Sequence, residues 1–304
     1  MASKDFTPAA AERFRHRTRE IAAGLIAGMP RGEGFDVMDA YARPLTFTVL
    51  REVMGIAAHH HDGLYRWMCT LDAGSGDPVA VTAALDHVED LVRTELRRRQ
   101  APEAGLLASI AAAAQSSDAT EDEAVSLCTM VLIAGFGVTT QMVGVCLLGL
   151  LTQESVLSAV LENPSLLPET VEELIRKDTS APFTTVRRAV ADMVIGDTSI
   201  PAGDDVLLSL GGANRDPRAF GPAGLHASGS RRSRHLAFGH GPHYCLGAPL
   251  ARMELTTALG ELLRLHPELS LAVEPSELAW RGGYQHRVLD KLPVLLGPGP
   301  AVTP

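Results

Sequence analysis

The chain has 304 residues, 46% of them hydrophobic, with 27 Lys and Arg against 36 Asp and Glu and a formal charge of −9. That length and apolar share suffice for a sizeable core, in one domain or two closely fused lobes. The acidic balance argues against a nucleic-acid partner, and basic runs such as Arg231-Arg232-Ser233-Arg234 are short. Four scattered cysteines, Cys69, Cys128, Cys146 and Cys245, show no CxxC spacing, which speaks against a disulfide framework and for a reducing cytoplasm. The stretch Met1-Ala2-Ser3-Lys4-Asp5-Phe6 lacks the apolar core of a signal peptide.

Apolar spacing predicts helices over Ala10 to Met29, Pro44 to Met54, Val79 to Arg99 and Ala104 to Ala114, with Gly, Pro and Asp between them. His59-His60-His61-Asp62 reads as a solvated loop, because three adjacent histidines on a regular element cannot converge on one metal ion. Thr120-Glu121-Asp122-Glu123 reads as the capping box of a soluble helix. The thirty uncharged residues that follow, between Glu123 and Glu154, are long enough to span a membrane. Ser126, Thr129, Thr139, Thr140, Gln141 and several glycines interrupt them, which favours a helix buried inside a protein. Glu173-Leu174-Ile175-Arg176 places two opposite charges on one helical face. Strand signals are few, near Val206 to Leu210, Leu269 to Val273 and Lys291 to Leu296.

Between these strand signals lies Phe238-Gly239-His240-Gly241-Pro242-His243-Tyr244-Cys245-Leu246-Gly247, a glycine-punctuated turn before the helix that opens at Ala248-Pro249-Leu250. The glycines let the backbone approach a flat ligand, and amides at the start of the helix can favour an anionic sulfur. A single thiolate with one open face suits iron held in a haem. The alternative is a buried structural cysteine in a turn.

This turn closely resembles the haem-binding loop of bacterial cytochromes P450. Upstream, Glu173 to Arg176 resembles the Glu-x-x-Arg of that family's K helix. Thr185-Val186-Arg187-Arg188-Ala189, Val194 to Gly203 and Asn214-Arg215-Asp216-Pro217 resemble the strands and loop leading to the cysteine. The resemblance runs from about Phe6 to Leu296. It implies a mainly α fold with minor β structure, a single domain over 1–304, with a helical core over about 6–180 and a haem-loop region over about 181–297. Lys4 to Pro8 resembles the end of the family's C helix, so the N-terminal strands, the A and B helices, the B–C loop and most of the C helix have no counterpart in this sequence.

The resemblance also implies roles. Haem b would be cradled by Phe238, Gly239 and Gly247, with Cys245 on the iron and Arg187 and His243 on the propionates. Glu173 and Arg176 would be structural, and Ala134, Phe136, Phe183 and Thr184 would line the pocket of a small hydrophobic substrate. Tyr284-Gln285-His286 would approach that pocket on a late hairpin. Two departures stand out. Ala134-Gly135-Phe136-Gly137-Val138-Thr139-Thr140 puts Gly137 at the family's acid position and Val138 at its catalytic alcohol, removing general acid assistance worth roughly 10²–10⁴ in rate. Thr139 could substitute only if a helix bulge rotated it by one position, and Val138→Thr together with Gly137→Glu is expected to improve coupling. Leu225 stands where the family arginine joins Glu173 and Arg176, so the fold is expected to be looser on that side or braced by something else.

Three readings stay open. One is a haem-thiolate oxidoreductase of monooxygenase type, atypical in its chemistry, acting on a hydrophobic natural product in antibiotic biosynthesis and drawing electrons from a ferredoxin-like partner. Another is an impaired auxiliary protein that binds and activates a glycosyltransferase, and the last is a remnant of a longer reading frame. Self-association is also expected, through the strand near Val206 to Leu210 and the helix surface around Phe136.

Overall fold

The computed structural model describes residues 3–29, 34–73, 77–98, 105–116, 119–221, 235–282 and 286–297. The first expected helix is two: after a 3₁₀ turn at Ser3–Phe6 come α1, Pro8–Glu12, and α2, Arg15–Ala27. The break lies at a tight turn where the Phe14 amide bonds Ala11 O at 3.0 Å, and it leaves the Phe14 ring packed on the core. A π-helical turn over Met38–Ala42 runs directly into α3, Arg43–Met54.

The expected loop His59 to Asp62 is structured instead: His59 and His60 sit in a 3₁₀ turn, Ala58–His60, and His61 and Asp62 open a helix, α4, His61–Ala73. The helix forms there because the His61 ring packs edge-on against Phe47 with centroids 5.0 Å apart. Its apolar residues Leu64 and Met68 then fall on one buried face. No group of three or more metal-ligating side chains occurs among the described residues.

Next come α5, Pro78–Arg98, α6, Leu106–Gln115, and α7, Glu121–Leu151. The capping box of α7 is present: Thr120 Oγ1 accepts from the Glu123 amide at 3.2 Å, and the Thr120 amide donates to Glu123 Oε2 at 2.8 Å. α7 runs through the middle of the helical layer against α3, α4, α5 and α6. It is long and apolar enough to cross a membrane, but 56% of its most apolar window is buried against the rest of the protein. Its close packing depends on small residues: a methyl group on Gly144 would overlap Met38 Sδ.

Two more helices, α8, Glu154–Glu162, and α9, Leu167–Lys177, lead into the strand-bearing part. There β2, Arg187–Arg188, pairs with β5, Asp205–Val206, and β3, Met193–Ile195, pairs with β4, Thr198–Ile200, all antiparallel. These pairings are numbered after β1, Gly34–Asp36. The expected strand to Leu210 stops at Val206; Ser209 bridges Phe183 and Leu210 opens the short α10, Leu210–Ala213, followed by α11, Pro217–Phe220. The long α12, Ala248–Leu265, packs on α2, α7 and α9. The late strands are β6, Ser270–Leu271, β7, Trp280–Arg281, β8, Val288–Leu289, and β9, Pro293–Leu295, with the order β1-β9-β6 in one sheet and β7-β8 in another. Gln141 ties α7 to this part, its Oε1 accepting from the Leu289 amide at 2.8 Å.

Candidate functional site

The cysteine turn folds as its glycines require. Gly239 and Gly241 take positive φ of 76° and 71°, a region that side chains other than glycine enter at a cost. The Cys245 amide closes the turn on Phe238 O at 2.8 Å. α12 starts three residues later, and the amides of Gly247 and Ala248 donate toward the Cys245 sulfur. Burial against apolar neighbours raises the thiol's pKa, while those two amides and the charge of Arg252 pull it back down. The residue keeps an exposed face. A methyl group on Gly247 would stand 3.9 Å from Sγ, so the backbone there leaves the sulfur uncrowded.

Cys245 opens into a cleft of about 370 Å³ lined mainly by apolar groups, among them Phe6, Leu50, Ala134, Met142, Ile175 and Phe238. A soft sulfur with amide donors, facing a mostly apolar space, is a donor set that fits haem. Arg187, on β2, and His243, in the 3₁₀ turn Gly241–His243, are exposed, and neither meets a carboxylate among the described residues.

Behind the turn lies a charge cluster that the sequence reading missed. Glu172 on α9 receives both guanidinium arms of Arg252 from α12 at 2.6 and 2.7 Å, and its Oε1 lies 2.8 Å from His235 Nε2. Arg252 also stacks over the Phe238 ring at 4.3 Å and donates to Tyr244 Oη at 3.2 Å. Burial alone would raise the pKa of Glu172, but the Arg252 and His235 contacts hold it at about 2. The cluster therefore pins Phe238 and Tyr244, two residues of the cysteine turn, to α9 and α12.

Glu173 and Arg176 pair as expected, with Arg176 Nε to Glu173 Oε2 at 2.7 Å and both side chains buried. Leu225 lies outside the described residues, as do Tyr284, Gln285 and the basic stretch 231–234. Arg176 is braced in two further ways: it donates to the Asn214 carbonyl and its guanidinium lies 4.7 Å from the Phe220 ring centroid.

On α7 the motif faces two adjoining clefts. The larger, about 620 Å³, is lined by Met68, Leu71, Ile133, Phe136, Gly137 and His286 among others, and it shares Met130, Ala134, Val138 and Ser180 with the cleft at Cys245. Thr139 is among the residues that line the cysteine cleft, and α7 runs there as an unbroken α-helix without the bulge posited for it. Ser180 brings a hydroxyl to within 3.5 Å of Val138 O. Phe183 and Thr184 line neither cleft; Phe183 pairs with Ser209, and the Thr184 amide bonds Leu208 O. Phe136 itself is 1% exposed, held by Phe47 and Tyr65, but the helix segment around it exposes the apolar Met130 and Ile133. Exposure near the expected strand does occur, at Leu207 and Leu208.

The sequence pattern of the family Cytochrome P450 matches residues 80–266. The chain is 34% identical over 295 residues to "Cytochrome P450 107B1" of Saccharopolyspora erythraea, a match covering 97% of this chain and 73% of that protein. It is 33% identical to the 6-deoxyerythronolide B hydroxylase of the same organism, over 97% of this chain and 74% of the relative. Among solved structures, the bacillaene polyketide synthase cytochrome P450 PksS of Bacillus subtilis 168 superposes with a TM-score of 0.90 at 31% identity, covering 98% of this chain and 77% of that one.

Proposed function

The chain belongs to the cytochrome P450 family, whose members bind haem (iron protoporphyrin IX), and on that premise we propose that it is a haem-thiolate oxidoreductase acting on a hydrophobic natural product, with Cys245 as the residue that would hold the iron. The observation that carries this reading is the sulfur of Cys245 at the mouth of an apolar cleft, with the Gly247 and Ala248 amides directed at it. When bound there, haem supplies the redox-active iron at which oxygen is activated. The chain's own groups do the rest. The two amides and the Arg252 charge favour the anionic sulfur. Phe238, backed by Arg252, forms one wall of the cradle, and the exposed cations Arg187 and His243 suit the propionates.

The larger cleft takes the substrate. Its apolar lining from Met68, Leu71, Ile133 and Phe136 excludes water and orients a hydrophobic molecule. The names of the relatives, a 6-deoxyerythronolide B hydroxylase and a polyketide synthase P450, support a polyketide-like substrate. A ferredoxin-like donor in the cytoplasm completes the reading. Among the described residues, the glycosyltransferase-activating role rests on the altered Gly137 and Val138 alone, and the names of the relatives given above lend it no support.

The test is an absorption spectrum. Protein produced with a haem precursor, reduced under carbon monoxide, should show a strongly red-shifted Soret band, and Cys245→Ala should lose it. Equal haem content and identical bands in the two proteins after desalting would overturn the assignment.

A further inference from the structure

Position 137 is filled, but not by its own side chain. A methyl group built on Gly137 would overlap Asp72 Oδ1 and stand 3.1 Å from Asp72 Cγ. The carboxylate at the C-terminal end of α4 thus occupies the volume that a side chain at the motif's acid position would enter. Both residues line the larger cleft, which adjoins the cleft of Cys245 along Met130, Ala134 and Val138.

Asp72 behaves unlike a carboxylate held for packing. It is half-buried, and it makes no hydrogen bond or ion pair with any described residue. Two cations face it, Arg43 of α3 and Arg281 of β7, together with the imidazole of His286. Arg43 is taken by Asp39 and Arg281 by Asp290. Glu89 of α5 and Arg287 line the same cleft, and Cys69 lies one turn back on α4. Burial raises the pKa of Asp72, and Arg43, Arg281 and His286 partly offset the rise.

We propose that Asp72 is the carboxyl group serving the acid position of α7, supplied from α4 across the gap that Gly137 leaves, and that position 137 is glycine in order to admit it. Its carboxyl takes a proton from solvent and releases it into the cleft along α7, returning to carboxylate, with no electron moved. Asp72 touches Gly137 rather than the reacting atoms, so it is a positioning residue. The proposal rests on the haem reading above. It also runs against the expectation that Gly137→Glu, paired with Val138→Thr, would improve coupling, since with Asp72 in place that side chain would displace its carboxylate.

Two readouts test it. The first needs no haem chemistry: thermal unfolding of Gly137→Ala, Asp72→Ala and their double variant. Gly137→Ala should lower the midpoint in the wild-type background, where the methyl meets the carboxylate. The same change should raise it or leave it level in the Asp72→Ala background, because alanine is the better helix former. The second readout uses haem-loaded protein with a plant ferredoxin and its reductase as donor, following oxygen uptake against pH. Asp72→Asn should slow uptake by about tenfold or more and flatten its pH profile, within the range of general acid catalysis. Moving the carboxyl, as Asp72→Ala with Gly137→Asp, should recover both. An equal midpoint shift in the two backgrounds, or an unchanged rate and profile in Asp72→Asn with the carbon monoxide band intact, would overturn the proposal. Absence of that band in the wild type would instead overturn the haem reading, and this inference with it.

Discussion

Glu254 gives the sharpest stability test. It lies on α12 against the cleft of Cys245, 3% exposed, and its Oε1 has no hydrogen-bond partner. Burial raises its pKa from 4.5 to about 8. Thr46 offsets a little of this, although the Thr46 hydroxyl is not in good hydrogen-bond geometry. The sign follows from the direction of the shift. An acid whose folded pKa lies above its unfolded value contributes no penalty below pH 4.5, and it costs stability progressively as pH rises toward 8. At about 1.36 kcal/mol per pH unit, the interval from 4.5 to neutrality amounts to about 3 kcal/mol as an upper bound. Glu254→Gln removes the ionisation and keeps the volume. Urea unfolding at several pH values between 4.5 and 8 should show the variant more stable by about 2–3 kcal/mol at pH 7, with the gap closing toward pH 4.5. Parallel wild-type and variant curves across that range, or a gap that widens in acid, would refute the reasoning.

Glu172 should act with the opposite sign. Its pKa is held at about 2 against an ordinary 4.5, so its contribution of at most about 3 kcal/mol is present above pH 4.5 and lost as pH falls toward 2. Glu172→Gln should remove that part of the acid sensitivity in urea titrations compared between pH 6 and pH 3. Arg176→Met leaves Glu173 buried without its cation and should cost about 3–5 kcal/mol. The double variant Glu173→Leu with Arg176→Met should recover most of that loss in chemical denaturation, since no lone charge then remains inside.

Features set by neighbours in sequence were legible before any coordinates. The capping box at Thr120, the pairing of Glu173 with Arg176 and the glycines of the cysteine turn each depend on a few adjacent residues, and each stands as read. What escaped depends on contacts across the chain. Glu172 sits beside the conspicuous Glu173 but turns toward α12, and nothing in its local spacing announces Arg252 or His235 as partners. α4 escaped because His61, polar by type, spends its ring on Phe47. The motif's letters also do not say which side chains reach the cysteine cleft, where an unbroken helix presents both Val138 and Thr139.

The altered motif shows why a string of letters understates a site. α7 is crowded from several sides, and where it carries glycine the neighbours move in: Leu50 stands 3.1 Å from a methyl built on Gly135, and Leu174 stands 2.5 Å from one built on Gly149. Gly137 belongs to the same series, with the difference that the group filling its gap is a carboxylate. A glycine at an acid position therefore has two physical meanings. It can mark a function lost, or it can mark the place where another helix has brought the group. Sequence alone gives both the same letter, and only the packing of α4 on α7 separates them. Beside it Ser180 stands close to the backbone of Val138, on the wall common to both clefts. The polar groups missing from the motif are thus available from two other segments of the chain, and the chemistry to be tested lies at their meeting point.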